Sequence, residues 1–249
     1  MIDLSTTELD VVWRTAGFGA LPLIIDVPSP GATHAERAAL ECRVWTDLVA
    51  RGLADDHGRP HWRLADRLET IAQPSRSLQL RIFGADATRA VLATRGRKNV
   101  LGVLGDRFHL TPTPASGAAA TLLALLPEVP AGREHSVSVD TTAFAAATRA
   151  TTAGRAHDTL RRHGLDADDG RTLLAMTTGS VRTIQIVAET RDADGRTTRS
   201  WPLSVHDTPA GRYRTVRTIS ATADHLTVTP ATTAAIATAL AQLTPVSTP

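Results

Sequence analysis

Aromatic side chains make up only 4% of this 249-residue chain, which also holds a single cysteine and a single lysine, Lys98. Cys42 alone can form no internal disulfide, which points to a reducing compartment. No apolar run approaches the roughly 18 residues a membrane helix needs. Met1-Ile2-Asp3-Leu4-Ser5 has no basic stretch leading into an apolar one, so no secretory signal is expected. A strong charge of either sign is also missing. The formal net charge is +2, split as 14 basic against 13 acidic residues over 1–127 and 13 against 12 over 128–249. The densest basic cluster, Arg95, Arg97 and Lys98, is too short for a nucleic-acid footprint. A soluble, cytosolic protein with no nucleic-acid partner is expected.

What is present is a core's worth of apolar residues, 42%, in alternating patterns. Ser5 and Glu8 form a capping box opening a helix over 5–16, and Leu21 to Val27 reads as a strand closed by Pro28-Ser29-Pro30-Gly31. Thr33 and Glu36 cap a helix to Arg51, with Ala38, Cys42, Trp45 and Val49 on its apolar face beside Val44 and Leu48. Leu64, Leu68 and Ile71 mark a helix over 62–73. From Ser77 the period becomes two, giving strands at 77–82, 89–94, 99–104 and 107–111. Pro112 and Pro114 then introduce a helix with Ala119, Leu122, Leu123 and Leu126 on one side. The second half predicts a strand at 136–139, helices at 141–151, 156–163 and 168–177, and strands from 183 and at 198–205, 211–218 and 224–229. Asp194-Gly195 is a hairpin turn.

The two halves, about 1–127 and 128–249, therefore read alike. Leu110-Thr111-Pro112 runs through Leu122 and Leu125 to Pro127, and Val228-Thr229-Pro230 through Leu240 and Leu243 to Pro245, at an offset of 118. The strand at 136–139 matches Leu23 to Val27 in this scheme. The expectation is an α+β fold with a mainly antiparallel central sheet, flanking helices and a pseudo-twofold internal duplication, in which sheets joined edge to edge hide one edge each.

Catalytic constellations are hard to find. His57 and His61 have metal-ligand spacing, but Gly58 and Pro60 between them make a turn. Cys42 reads as an inert core thiol. There is no nucleophile elbow or phosphate loop, and Asp166, Asp168 and Asp169 read as a loop and helix cap. No cofactor, metal or enzymatic activity is expected. Trp201 and Tyr213, on strands, are candidate partner anchors, since aromatics and arginine dominate binding hot spots. A winged-helix DNA-binding regulator is the alternative, from helices 33–51 and 62–73 and the strand after them. Its would-be recognition helix, Arg63 to Thr70, carries Asp66 and Glu69 beside Arg63 and Arg67 and is nearly neutral, which disfavours groove insertion.

Several segments in order along the chain are similar to one family. They are Leu21-Pro22-Leu23-Ile24-Ile25-Asp26-Val27-Pro28-Ser29-Pro30-Gly31, Thr33-His34-Ala35-Glu36-Arg37, Gly52-Leu53, Arg76-Ser77-Leu78-Gln79-Leu80-Arg81, Gly105-Asp106-Arg107 and Asp207-Thr208-Pro209-Ala210-Gly211-Arg212-Tyr213. Together they resemble the EspG (ESX secretion-associated) family. The resemblance implies a quasi-twofold fold and a cytosolic chaperone for type VII secretion. Such a chaperone binds a helical secreted client, a PPE protein paired with a PE partner or another helical substrate, and covers its apolar tip without a cofactor. It also directs attention to the sheet face and the helices of the second half. Trp201, Arg212, Tyr213 and the loop of Arg95, Arg97, Lys98 and Asn99 are the expected partner contacts, and the expected state is a monomer or weak homodimer.

Overall fold

The computed structural model describes residues 1–85, 87–220 and 223–243. It divides into two compact units: Met1–Arg81 with Thr88–Leu122 and Glu189–Thr198, and the described residues of Ile82–Ala87, Leu123–Ala188 and Arg199–Pro249.

The first unit opens with β1 (Ile2–Leu4) and α1 (Thr6–Thr15). The capping box forms as the spacing predicts: Glu8 N–H donates to Ser5 Oγ at 3.1 Å and Ser5 N–H to Glu8 Oε2 at 2.6 Å. Leu9, Val12 and Trp13 are buried. The stretch Leu21–Val27 is not a strand. Pro22 and Pro28 lack the N–H a ladder needs, and Ile25 N–H closes a turn on Pro22 carbonyl at 2.7 Å. That loop is held instead by Trp13 Nε1 donating to Gly19 carbonyl at 3.0 Å and by burial of Ile25.

Helix α2 (His34–Ala50) has its Thr33–Glu36 capping box. Its buried face is Val44 and Leu48, and Cys42 is exposed. The apolar face sits away from Cys42 because residues 42 and 44 lie about 200° apart around a helix of 3.6 residues per turn, so one cannot share the burial of the other. Arg37, at the start of α2, donates to Asp10 at 2.5 Å, Pro30 carbonyl at 3.2 Å and Glu41 at 2.7 Å, which ties the proline loop to α1.

Helix α3 (Trp62–Ala72) buries Leu64, Leu68 and Ile71, and β2 (Arg76–Phe83) buries Leu78, Leu80 and Ile82 on the expected alternation. Strands β3 (Thr88–Arg95), β4 (Lys98–Leu104) and β5 (Phe108–Pro112) follow, then α4 (Ala118–Leu123), where Leu122 and Leu123 are buried but Ala119 is exposed. The strand order is β1-β5-β4-β3-β2, with β1·β5, β5·β4 and β4·β3 antiparallel. Arg107 donates to Asp3 at 2.6 Å and to Glu8 at 3.4 Å, locking the first strand and helix beside the β4–β5 hairpin, and Arg51 at the end of α2 donates to Glu8 at 2.8 Å.

The second unit begins with β6 (Val137–Asp140), which runs into α5 (Thr141–Thr148), α6 (Ala153–Arg162) and α7 (Ala167–Thr177). Asp140 and Asp166 act as N-caps, so the acidic cluster at 166–169 is a helix start. Strand β7 (Arg182–Arg191) starts in the second unit, and its last residues, the turn at Asp192–Gly195 and most of β8 (Thr197–Arg199) are counted with the first. The expected strand over 198–205 is broken at Ser200-Trp201-Pro202, where Pro202 offers no donor, and resumes as β9 (Leu203–Thr208). Strands β10 (Gly211–Ile219) and β11 (Asp224–Pro230) pair antiparallel, and α8 (Thr233–Ala241) follows. The order is β7-β9-β10-β11-β6, with β8 paired to β7.

Each unit thus has strand, three helices, strands and a final helix, and in each the first strand pairs with the last strand before that helix. Strand β6 corresponds to β1 in this order, not to Leu23–Val27. Pro112 and Pro230 both end the last strand, and Leu122 and Leu240 are both buried. Pro245 lies outside the described residues.

Arg212 and Tyr213 organise the second unit, and both are fully buried. Arg212 Nε and Nη2 donate to the two oxygens of Asp207 at 2.6 and 2.9 Å, and Nη2 also donates to Pro127 carbonyl at 2.9 Å. Its backbone N–H donates to Pro130 carbonyl at 2.8 Å, and its carbonyl accepts from Gly132 at 3.1 Å and Ala231 at 2.9 Å. Gly211 makes the preceding turn at φ 133°, a region side chains avoid. Tyr213 lies on the other face of β10, under the segment at Gly132, and donates its hydroxyl to Glu134.

Two outcomes follow from this packing. A Cβ at Gly132 would lie 2.0 Å from the Tyr213 ring, so Gly132→Ala is expected to lose at least about 1–3 kcal/mol in urea unfolding, as overpacked sites do; an unchanged midpoint would mean the segment is not seated there. Tyr213 is the only tyrosine, so tyrosinate absorbance reports it alone. Burial first, and then the Glu134 carboxylate, push its pKa up to about 12. The neutral phenol's stabilisation is therefore complete below the ordinary value of 10.0 and lost as pH rises through about 12. An alkaline titration with a midpoint near 10.0 would show the phenol solvated.

Candidate functional site

In the second unit α5, α6 and α7 lie over one face of the sheet, and between them runs a groove of about 850 Å³. The helices that wall it are rich in alanine and threonine, and that is why a groove exists. Ala147, Ala156, Thr148 and Thr177 reach too little way toward the strands to close the space. Larger apolar groups complete the walls: Phe144 of α5, Leu160 of α6, and Leu173 and Leu174 of α7.

The floor follows from strand alternation. Thr215 and Arg217 share the Tyr213 face of β10, and their neighbours Ser204 and His206 on β9 and Leu226 on β11 point the same way. Two floor groups are polar and poorly solvated. Thr215 Oγ1 is buried with no hydrogen-bond partner among the described residues. Burial pushes the His206 imidazole below its ordinary pKa, against the opposing pull of the Asp207 charge.

Trp201 and Pro202 form the rim. Trp201 is 43% exposed yet fixed, because the Arg217 guanidinium lies 3.8 Å from its ring centroid. Arg217 is itself oriented by two bonds to Asp224, at 2.8 and 2.5 Å, and Asp224 accepts from Thr141 Oγ1 at 2.9 Å. The Arg217 hydrogen bond is the main reason the Asp224 carboxyl is held down at about 2. An aromatic ring on a cleft rim, preset by an ion pair, is poised to pack against an apolar partner with little ordering cost.

Among the expected contacts, only Trp201 takes part in this groove. Arg212 and Tyr213 are corrected from surface contacts to buried supports. Both faces of β10 are covered at that point, so alternation hides the two side chains in turn. The loop of Arg95, Arg97, Lys98 and Asn99 belongs to the first unit, and three of its members are already engaged. Arg95 pairs with Glu69 at 2.6 Å, Lys98 pairs with Asp66, and nearly buried Asn99 accepts from Thr94 at 2.7 Å. Arg97 is exposed at the hairpin tip. The same pairs occupy the two acids of α3, the helix a winged-helix protein would insert into DNA.

Sequence reasoning passed over Arg217, Phe144 and Thr215. Counting by two from Tyr213 places 215 and 217 on its face, and Phe144 is the one aromatic in an alanine-rich helix, so the signals were there. Among the described residues no group of three His, Cys, Asp or Glu could hold a metal ion. The turn holding His57 is organised by Asp55, which accepts from His57 N–H and Arg59 N–H at 3.0 Å each.

Comparison with known proteins places this architecture. The chain is 30% identical over 165 residues to the ESX-1 secretion-associated protein EspG1 of Mycobacterium tuberculosis, an alignment covering 64% of this chain and 56% of that protein. The chain thus spans little more than half the length of that relative. It is 24% identical over 256 residues to the ESX-3 secretion-associated protein EspG3 of Mycolicibacterium smegmatis, covering 98% and 86%. Its fold matches the Mycobacterium tuberculosis type VII secretion system chaperone EspG5, solved in complex with a PE25–PPE41 dimer. The TM-score is 0.73 at 17% identity, over 97% of this chain and 95% of that one. The model of the EspG family matches residues 5–242, nearly the whole chain, and the protein belongs to the EspG family.

Proposed function

We propose that this protein is a non-catalytic cytoplasmic chaperone of a type VII secretion system, and that the groove under α5, α6 and α7 receives the apolar tip of a helical, PPE-like client. The groove with its preset Trp201 rim carries the reading. Apolar grooves of this kind take amphipathic helices through side chains spaced at i, i+3 and i+4. Covering such a tip keeps an otherwise aggregation-prone surface out of water until export. Relatives described as secretion-associated, and a structural neighbour bound to a PE–PPE dimer, support the same role. Among the described residues no helix is long and apolar enough to cross a membrane.

We also propose that the two units descend from one duplicated unit, supported by their common element order and by the offset of 118 between Pro112 and Pro230. Sequence profiles built from many relatives should align unit with unit at that offset; profiles that find no such register would count against descent by duplication.

The client reading is tested by copurification with a PPE-like protein from the same genome. Trp201→Ala removes the rim aromatic, and hot-spot truncations of this kind cost about 2 kcal/mol or more, roughly a thirtyfold loss of affinity. Leu174→Asp places a charge in the groove wall and should abolish capture while leaving the thermal midpoint within a few degrees. Full capture by both variants would remove the groove from the client interface.

A further inference from the structure

Next to the apolar groove, where α5 hands over to α6, lies a second concavity of about 860 Å³ with a different chemistry. Arg149, Arg155, Arg161 and Arg162 border it, and Asp158 is the one carboxylate there. All four guanidinium-bearing residues are exposed, and among the described residues none has a carboxylate within ion-pair distance. Their hydrogen bonds go to neutral oxygens: Arg155 Nη1 to Thr151 Oγ1 at 3.4 Å, Arg162 Nε to Asp158 carbonyl at 3.3 Å, and Arg162 Nη2 to Thr159 Oγ1 at 3.0 Å. By contrast, the arginine at the groove floor, Arg217, is fully engaged by Asp224. Residues Ala150 and Thr151 line both concavities, so the arginine cleft and the apolar groove share one wall.

We propose that this cleft reads carboxylates on the client: the helical segment whose apolar tip fills the groove carries Asp or Glu beside that tip, and Arg149, Arg155, Arg161 and Arg162 select it. The proposal rests on the client reading above and adds the client's charge to it. Charge complementarity favours an acidic protein segment, because the cations are spread along a helix elbow beside an apolar slot. Arg155 and Arg162, seven residues apart, lie on one face of α6 at a spacing that matches the turns of a helix laid against it. Guanidinium groups bind carboxylates through paired, planar hydrogen bonds. Exposed pairs of this sort act on encounter and selectivity more than on final affinity, and salt screens them.

The test uses the full chain and three synthetic helical hairpins that share one leucine- and phenylalanine-rich tip but carry Glu, Gln or Lys at the flanking positions. In stopped-flow association at low ionic strength the Glu hairpin should bind about tenfold faster than the Gln hairpin, as steering by complementary charge does, and the Lys hairpin slowest. The advantage should shrink with added salt, disappear in an Arg149→Gln, Arg155→Gln, Arg161→Gln, Arg162→Gln variant, and survive when the same four residues are replaced by lysine. Equal rates for the Glu and Gln hairpins on the unaltered chain would overturn the charge selection and leave the groove reading standing; this comparison needs no variant to fold. No binding of any hairpin would overturn the groove reading, and this proposal with it. Adsorption of the chain to phosphatidylglycerol vesicles, without preference among the hairpins, would assign the arginines to a lipid surface and also overturn the proposal.

Discussion

The second unit depends on one buried charge. Arg212 has no exposed surface, and desolvating a guanidinium costs several kcal/mol unless it is paired and hydrogen-bonded. Asp207, equally buried, supplies the pair, Arg182 adds a bond to the same carboxylate at 3.3 Å, and Pro127 carbonyl takes a further donor. These partners come from β7, β9 and the segment before β6. The pair therefore sets the β9–β10 register and the path of residues 127–132 together. A slip of one residue would turn Arg212 to the helix side and strand a charge in an apolar layer.

That constraint determines what the groove looks like. With Arg212 on one face, Tyr213 must point to the other, where Glu134 holds its hydroxyl and Gly132 lets the chain cross the ring. Thr215 and Arg217 then fall on the groove floor. Small residues on α5 and α6 leave the space above them open, and Arg217 converts an ion pair with Asp224 into a fixed seat for Trp201. The buried lock at the bottom of the strand and the groove floor at its far end come from one alternation.

The Asp207-to-Tyr213 segment, one of those that resemble the EspG family, is accordingly a structural lock. The exposed features of the second unit lie elsewhere, in the aliphatic walls of α6 and α7, the Trp201 rim and the arginine elbow. Charges at such a rim can change without disturbing a buried register, because they are exposed and make no contact with it.

Local physics settled much of this chain in advance. Both capping boxes, the alternating strand from Ser77 and the Asp194-Gly195 turn are written in neighbouring residues, and the capping, pleat and turn rules read them directly. Where reading failed, the deciding partner was distant in sequence. Leu21–Val27 has strand composition but no donors where its prolines stand, and Arg37 and Trp13 hold it as a loop. The apolar face of α2 depends on what packs against it, so Cys42 could not be placed by period alone. Trp201 was legible as a candidate anchor from its residue type. That Arg212 and Tyr213 would be buried, and that Arg149, Arg155, Arg161 and Arg162 would gather around one elbow, required the fold, because burial and charge density belong to surfaces assembled from several segments.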